Sequence, residues 1–284
     1  MSRSVPLLVR ADEDSDYRLT LRRFAARPYT GRSLMAAPKE PQHQIGLVHL
    51  VRAANGVDAL KGFLNAYRTT TGSKPYELIF LCKGSGAVEQ AKAAGSDLLP
   101  KIHVLPDSGF DIGSYVRIAR ILQHPVLCFV NSWARPRMVG WLDWLVQAAM
   151  NPSVGIAGAT GSLEGVPPHT RFPNPHVRTN AFAIRRNLFL ELSLPEPQTK
   201  TDAILLEAGP NSITKQILAR RLRAVVVSKG GSAHELTASR GAGVYRSHHQ
   251  CNLIVSDNVT DLYKRSSRRH RAQMEAAAWG SSEQ

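Results

Sequence analysis

Five stretches of the sequence gather side chains that could do chemistry. In PDSGFDIGSY, Asp107 and Asp111 flank Gly109 between an apolar run and a helical pattern. Two carboxylates at a strand's carboxyl end, beside a helix N-terminus, suit recognition of hydroxyl groups. Asp111 as a plain N-cap, with Gly109 making the turn, reads equally well. In NSWARP, Asn131 and Ser132 follow directly on the apolar run VLCFV. Their neutral amide and hydroxyl are poor anchors for Mg²⁺ or Mn²⁺, whereas Arg135 and Arg137 could meet phosphate as cations. Capping a helix that starts near Arg137 is the alternative role for Asn131 and Ser132.

In HVRTNAFAIRR, His176, Arg178 and Asn180 alternate along one face of a strand, with Val177, Thr179 and Ala181 on the other. That puts a cation beside two hydrogen-bonding groups, although a solvent-exposed edge gives the same pattern. KTDAILLEAGPNSITKQ sets Asp202 and Glu207 ahead of a turn that opens a new helix at Ser212. A carboxylate in a cleft could take the proton of an acceptor hydroxyl; an isolated helix-end glutamate is more often simply solvated. YRSHHQCNLIVSDNVTDLY is dense in His, Arg, Asn and Asp. Neighbouring His248 and His249 point apart in extended chain and have no partner pair at matching spacing, which argues against metal ligation.

These stretches need a scaffold to bring them together. Residues before about Gln44 mix charge and proline without periodicity and read as an irregular lead-in, residues 1–44. From Ile45, the apolar runs IGLVHLV, YELIFLC, KIHVL and VLCFV alternate with helical stripes such as Val57, Leu60, Phe63, Leu64 and Tyr67. That β-α-β-α-β-α-β order predicts a mostly parallel sheet with helices on both faces and ligands at the strands' carboxyl ends. SVGIAGA, VRTNAFAI and AVVVS read as further strands, the second with one open face. The basic residues from Lys264 onward predict a disordered C-terminal tail, residues 264–284.

Composition narrows the class. Of 284 residues, 43% are hydrophobic and 20% charged, which fits one large folded domain and excludes a wholly disordered chain. No apolar run is long enough to span a bilayer and no signal-peptide h-region develops, so the expected setting is cytoplasmic. Cys82, Cys128 and Cys251 lack metal-ligand spacing and read as reduced thiols. A formal charge of +14 admits nucleic acid, an anionic membrane surface or anionic small ligands. Basic clusters at Arg18, Arg22, Arg23 and Arg27, and at Lys264, Arg265, Arg268, Arg269 and Arg271, offer peripheral membrane contact. Nucleic acid is the lesser reading, because aromatics do not interleave with these runs. GxGxxG is absent, against a dinucleotide site. DIGSY as a methyltransferase cofactor loop is disfavoured by its place after the third strand.

Taken in order, the segments resemble family-2-like glycosyltransferases, in particular bacterial transferases of rhamnan and polysaccharide synthesis. Asn55-Gly56, Gly109-Phe110-Asp111-Ile112-Gly113, Asn131-Ser132 with Arg135-Pro136, and Trp141 carry the first half of the likeness. Arg178-Thr179-Asn180 with Phe182 and Arg185-Arg186, Glu207 with Gly209 and Asn211-Ser212, and Asn252-Leu253 with Asp257-Asn258 and Thr260 carry the second. The resemblance spans residues 45–263. It implies a GT-A-type three-layer α/β/α fold, a nucleotide-diphosphate-sugar donor, and a glycan or other hydroxyl acceptor in polysaccharide biosynthesis. It further implies that Arg52, Asp107 and Asp111 face the nucleoside, and that Asn131 and Ser132 lie near the ribose or diphosphate. Glu207 takes the place of the catalytic base of an inverting transfer, and His176, Arg178 and Asn180 line the acceptor cleft. Arg246, Gln250 and Asn252 form a lid over the diphosphate. The departure is Asn131-Ser132-Trp133 where such enzymes usually carry Asp-x-Asp, so no metal is expected through that motif. The other reading is a GT-A-like module that binds nucleotide or glycan without turning it over.

Overall fold

A computed structural model describes residues 44–70 and 76–281. The N-terminal segment expected to be irregular, with its arginine cluster, lies outside them. The first half alternates as its periodicity predicts: β1 (Ile45–Arg52), α1 (Gly56–Thr70), β2 (Tyr76–Lys83), α2 (Ala87–Gly95), β3 (Lys101–Leu105), α3 (Phe110–Ile121) and β4 (Val126–Val130). Next come β5 (Arg135–Pro136), α4 (Trp141–Met150), β6 (Val154–Gly158), β7 (Gly161–Ser162), β8 (His176–Val177) and β9 (Ala181–Arg185). The last third holds α5 (Arg186–Leu190), α6 (Lys200–Ala208), α7 (Ile213–Ala219), β10 (Arg223–Val227), β11 (Ala233–Glu235), β12 (Val255–Ser256), α8 (Asn258–Arg265) and α9 (Arg268–Trp279).

Eight strands form the central sheet in the order β11-β10-β6-β9-β4-β1-β2-β3. β1 pairs in parallel with both β2 and β4, β2 with β3, and β6 with β10. β9 runs antiparallel between β4 and β6, and β11 antiparallel on the edge. Strands covered on both faces read as continuous apolar runs, and β4 is buried throughout. Alternation along β1 splits the core. Val48 and Leu50 join Tyr115, Phe129, Phe182 and Phe189 under α3, α5, α6 and α7. Leu47 and Val51 join Phe63, Leu64, Trp141 and Leu145 under α1, α2 and α4 on the opposite face. The result is a three-layer α/β/α arrangement on a mostly parallel sheet.

Two local expectations are corrected. VRTNAFAI is not one strand with an open face. Its pairing breaks over Arg178–Asn180, and β9 is a buried central strand whose Ala181, Phe182, Ala183 and Ile184 meet neighbours on both sides. The basic C-terminal segment is helical as far as Trp279. Ser267 caps α9 by accepting from His270 N–H, Met274 and Ala278 bury one stripe, and Trp279 donates its indole N–H to the Tyr245 carbonyl at 2.8 Å. A helix with so few apolar residues forms because that narrow stripe packs on the domain.

Candidate functional site

The carboxyl ends of β1 and β2 lie side by side, with Arg52 opposite Lys83 in register. The chain after β3 folds across them. Arg52 donates from Nε and Nη2 to the two carboxylate oxygens of Asp107, at 2.9 and 3.2 Å. Lys83 is buried, and its Nζ donates to the carbonyls of Ser108 and Phe110 at 2.9 Å each, 3.9 Å from Asp107 Oδ1. A lysine so placed is a clamp. It ties the Ser108 carbonyl, ahead of α3, to that of Phe110, the first residue of α3, while Gly109 takes φ +73 and Phe110, unusually for an aromatic residue, φ +48.

The clamp determines where Asp111 goes. Gly109 occupies the cap position of α3 with no side-chain cap, so the N-cap reading of Asp111 is overturned. Its carboxylate instead lines two adjoining clefts. The first, of about 280 Å³, is walled by Arg52, Lys83, Asp107, Phe110, Asp111 and Gln198. The second, of about 200 Å³, is walled by Phe110, Asp111, Thr179, Lys200, Ile204 and Glu207. Glu207 sits in the last turn of α6, whose start is fixed by a capping box between Thr199 and Asp202. Its Oε2 accepts from the Thr179 backbone N–H at 2.7 Å and from the Thr179 hydroxyl. No hydrogen bond to its Oε1 is seen among the described residues.

Electrostatics separate the charged groups. Burial pushes the Asp111 carboxyl above its ordinary value; Lys83 opposes that, Glu207 adds to it, and Arg52 opposes it. The bond from Arg52 holds Asp107 below the usual carboxylate range, and burial pulls Lys83 down against the charges of Asp107 and Asp111. One carboxylate is thus locked in an ion pair. The other belongs to a residue that lines both clefts, and it meets no cation at bonding distance among the described residues.

The remaining expected residues divide sharply. Asn131 is not among the residues lining either cleft; its Oδ1 accepts from Trp133 N–H at 3.1 Å and shapes a turn. It caps no helix, because α4 starts at Trp141 behind Gly140. Ser132 is buried and lines a narrow slot with His49, Asn55 and Gly56 beside Arg52. Arg135 is paired with Asp261. His176 is buried with Nδ1 2.8 Å from the Asn174 carbonyl, and Asn180 is buried with Oδ1 accepting from the Thr160 hydroxyl at 2.6 Å. The broken strand sends these two inward, so they do not form an acceptor face with Arg178.

Arg178 belongs to a separate network. It bonds Asp257 at 3.3 Å and lies 4.6 Å from the centre of the Tyr245 ring, while Arg246 bonds Glu164 at 2.8 Å and lies 5.0 Å from the same ring. Burial works against the Arg178 charge, and Tyr245, Asp257, Glu207 and Glu164 together hold it on. The expected lid is tied down in the same region. Gln250 donates to the Thr260 carbonyl at 3.0 Å, and Asn252 to the Ala242 carbonyl at 3.0 Å. Both amides serve the fold; of the three residues expected in the lid, Arg246 keeps a buried Nε that meets no hydrogen-bond partner among the described residues.

A divalent ion at the Asp-x-Asp position fails on donor chemistry. Asn131 Oδ1 is committed to its own turn, Ser132 is buried, and neither carries charge. Lys83, Phe110, Thr179 and Lys200 are among the cleft residues that sequence reasoning missed. Lys83 was detectable only as the strand-end partner of Arg52.

Fold and site together define a three-layer α/β protein with a mixed-charge cleft at the carboxyl edge of its sheet. No family model and no curated protein matches the chain. Among solved structures it is similar to the mannosyltransferase PcManGT from Pyrobaculum calidifontis in complex with GDP-Man and Mn²⁺, with 12% identity and a TM-score of 0.49. That match covers 73% of this chain and 61% of the mannosyltransferase. It is also similar to CMP:2-keto-3-deoxy-manno-octonic acid synthetase complexed with CTP, at 12% identity and TM-score 0.43 over 67% of this chain and 92% of that one. Mouse xyloside xylosyltransferase 1 follows at 13% identity and TM-score 0.37, over 63% and 77%. At such scores the chemistry rests on the residues of the cleft. Among the described residues, no helix is long and apolar enough to cross a membrane.

Proposed function

We propose that this chain is a glycosyltransferase that moves a sugar from a nucleotide-diphosphate donor to a hydroxyl of a glycan or related acceptor, with inversion. The single observation that carries the reading is that Asp111 and Glu207 line one cleft, continuous through Phe110 and Asp111 with the cleft of Arg52, Lys83 and Asp107. The first cleft takes the nucleoside, whose ribose hydroxyls and base edge match alternating carboxylate and cationic partners. The second takes the reacting groups.

In that cleft Thr179 fixes Glu207 Oε2 and leaves Oε1 to accept the acceptor's proton. The acceptor oxygen forms its bond to the anomeric carbon as the bond from that carbon to the diphosphate oxygen breaks, and the electron pair departs with the nucleoside diphosphate. Lys200, lining the same cleft, supplies positive charge for the leaving group. The test is Glu207→Gln in a transfer assay over UDP-, GDP- and dTDP-sugars. Transfer is expected to fall by about 10²- to 10⁴-fold while donor binding persists; undiminished transfer contradicts the assignment.

A second reading is favoured by Asn131 and Arg135, which are spent on a turn and on Asp261 rather than facing a diphosphate. On that reading the cleft binds sugar nucleotide or glycan without turnover. Donor binding without transfer or donor hydrolysis, with and without EDTA, distinguishes it.

A further inference from the structure

The corner between α8 and α9 breaks the charge pattern of the surface. Elsewhere some exposed basic side chains meet acids, Arg68 with Asp97, Lys101 with Glu77, Arg117 with Glu196 and Arg223 with Glu235, and others, such as Lys61, Lys92, Arg120 and Arg171, stand apart in the sequence. At the corner Lys264, Arg265, Arg268 and Arg269 are all exposed, and among the described residues none of the four meets a carboxylate. The acids that belong to these helices are already taken. Asp257 holds Arg178, Asp261 holds Arg135, and Glu275 accepts from the Tyr263 hydroxyl. Four cations within six residues therefore stand together without counter-charge.

This cluster is not a loose tail. Tyr263 is buried in α8, Met274, Ala278 and Trp279 are buried in α9, and the Ser266 hydroxyl lies 3.9 Å from Met274 Sδ between them. A rigid base means that docking orders only side-chain ends and costs little chain entropy. Beside the cations, Leu262 is 49% exposed, three residues before Arg265 on the same helix. An exposed leucine among unpaired cations suits a surface that is negative outside and apolar just beneath.

We infer that the α8–α9 corner docks on a bilayer containing anionic phospholipid. Charge complementarity selects an anionic partner, and Leu262 selects a lipid surface over a phosphate backbone, which gains nothing from an aliphatic side chain. The aromatic residues of the corner, Tyr263 and Trp279, are buried and offer no stacking platform for bases. Docking is independent of the reaction proposed for the cleft.

The test is co-sedimentation of the full chain with vesicles of phosphatidylcholine alone and of phosphatidylcholine mixed with phosphatidylglycerol. Binding is expected only to the anionic vesicles and is expected to weaken as salt rises. Each cation replaced by Gln among Lys264, Arg265, Arg268 and Arg269 should lower the partition coefficient about fivefold. Leu262→Ser should lower it further with the salt dependence unchanged. Both sets of replacements are at exposed positions, and an unchanged melting temperature verifies the fold. Equal binding to neutral vesicles, undiminished binding by the fourfold Gln variant, or binding to DNA with none to anionic vesicles overturns the inference.

Discussion

Two regions of this molecule bury charge, and they do so in opposite ways. Around Tyr245 every cation has an anion: Arg178 has Asp257, Arg246 has Glu164, and both guanidinium groups lie against the same ring. At the carboxyl edge of β1 and β2 the pairing is deliberately incomplete. Asp107 is neutralised by Arg52, and Lys83 is spent on two carbonyls, but Asp111 and Glu207 line a common cleft and neither bonds a cation among the described residues. A matched network resists change because breaking it strands a charge. An unmatched one holds its charge ready for a ligand, at some cost in stability.

That contrast is broken or sharpened by substitution. Asp257→Asn keeps an N-cap side chain for α8 but leaves Arg178 without its anion; unfolding in denaturant should show a loss of about 3–5 kcal/mol. A loss near zero would place the Tyr245 network outside the stabilising framework. Lys83→Met fills the same space and strands the Ser108 and Phe110 carbonyls. The same measurement should give a loss of up to about 3 kcal/mol, with weaker ligand binding because the Asp107–Asp111 loop is no longer clamped.

His49 tests buried charge from a third side. Its ring stacks on Phe63 at 3.8 Å, both nitrogens lack hydrogen-bond partners among the described residues, and burial lowers its pKa to about 3. The unfolded chain therefore binds a proton that the fold refuses. Stability should be complete above the unfolded value of about 6.5 and decline as pH falls toward the folded value, by ~2 kcal/mol at about pH 5. His49→Phe should flatten that part of the stability curve, and an unchanged slope would contradict the burial. The smallest effect is expected from Asp111→Asn. Removing a charge that burial and Glu207 both oppose should leave stability within about 0.5 kcal/mol of the parent or slightly above it.

The sheet was legible wherever elements were amphipathic and locally punctuated. Asp107 and Asp111 could be placed at the carboxyl edge because parallel strands with helical crossovers all end on the same side, and the resemblance set Arg52 beside them. The alternation of His176, Arg178 and Asn180 misled, since a period of two describes a strand but not the break that turns His176 and Asn180 inward. The C-terminal helix was hidden by its basic composition, although Ser267 followed by Met274 and Ala278 carries a cap and a one-turn apolar spacing. The clamping role of Lys83 was invisible for a different reason. Its two partners are backbone carbonyls contributed by a loop 25 and 27 residues away, and main-chain acceptors carry no signature in residue type.

The most direct measurement is the melting temperature of the chain and of Asp111→Asn with UDP-, GDP- and dTDP-sugars. A ligand held by the folded cleft raises the melting point by linkage. At least one sugar nucleotide should raise it in the parent and fail to do so in the variant. No rise with any of them, or an equal rise in both proteins, would contradict a sugar-nucleotide site between Asp111 and Glu207.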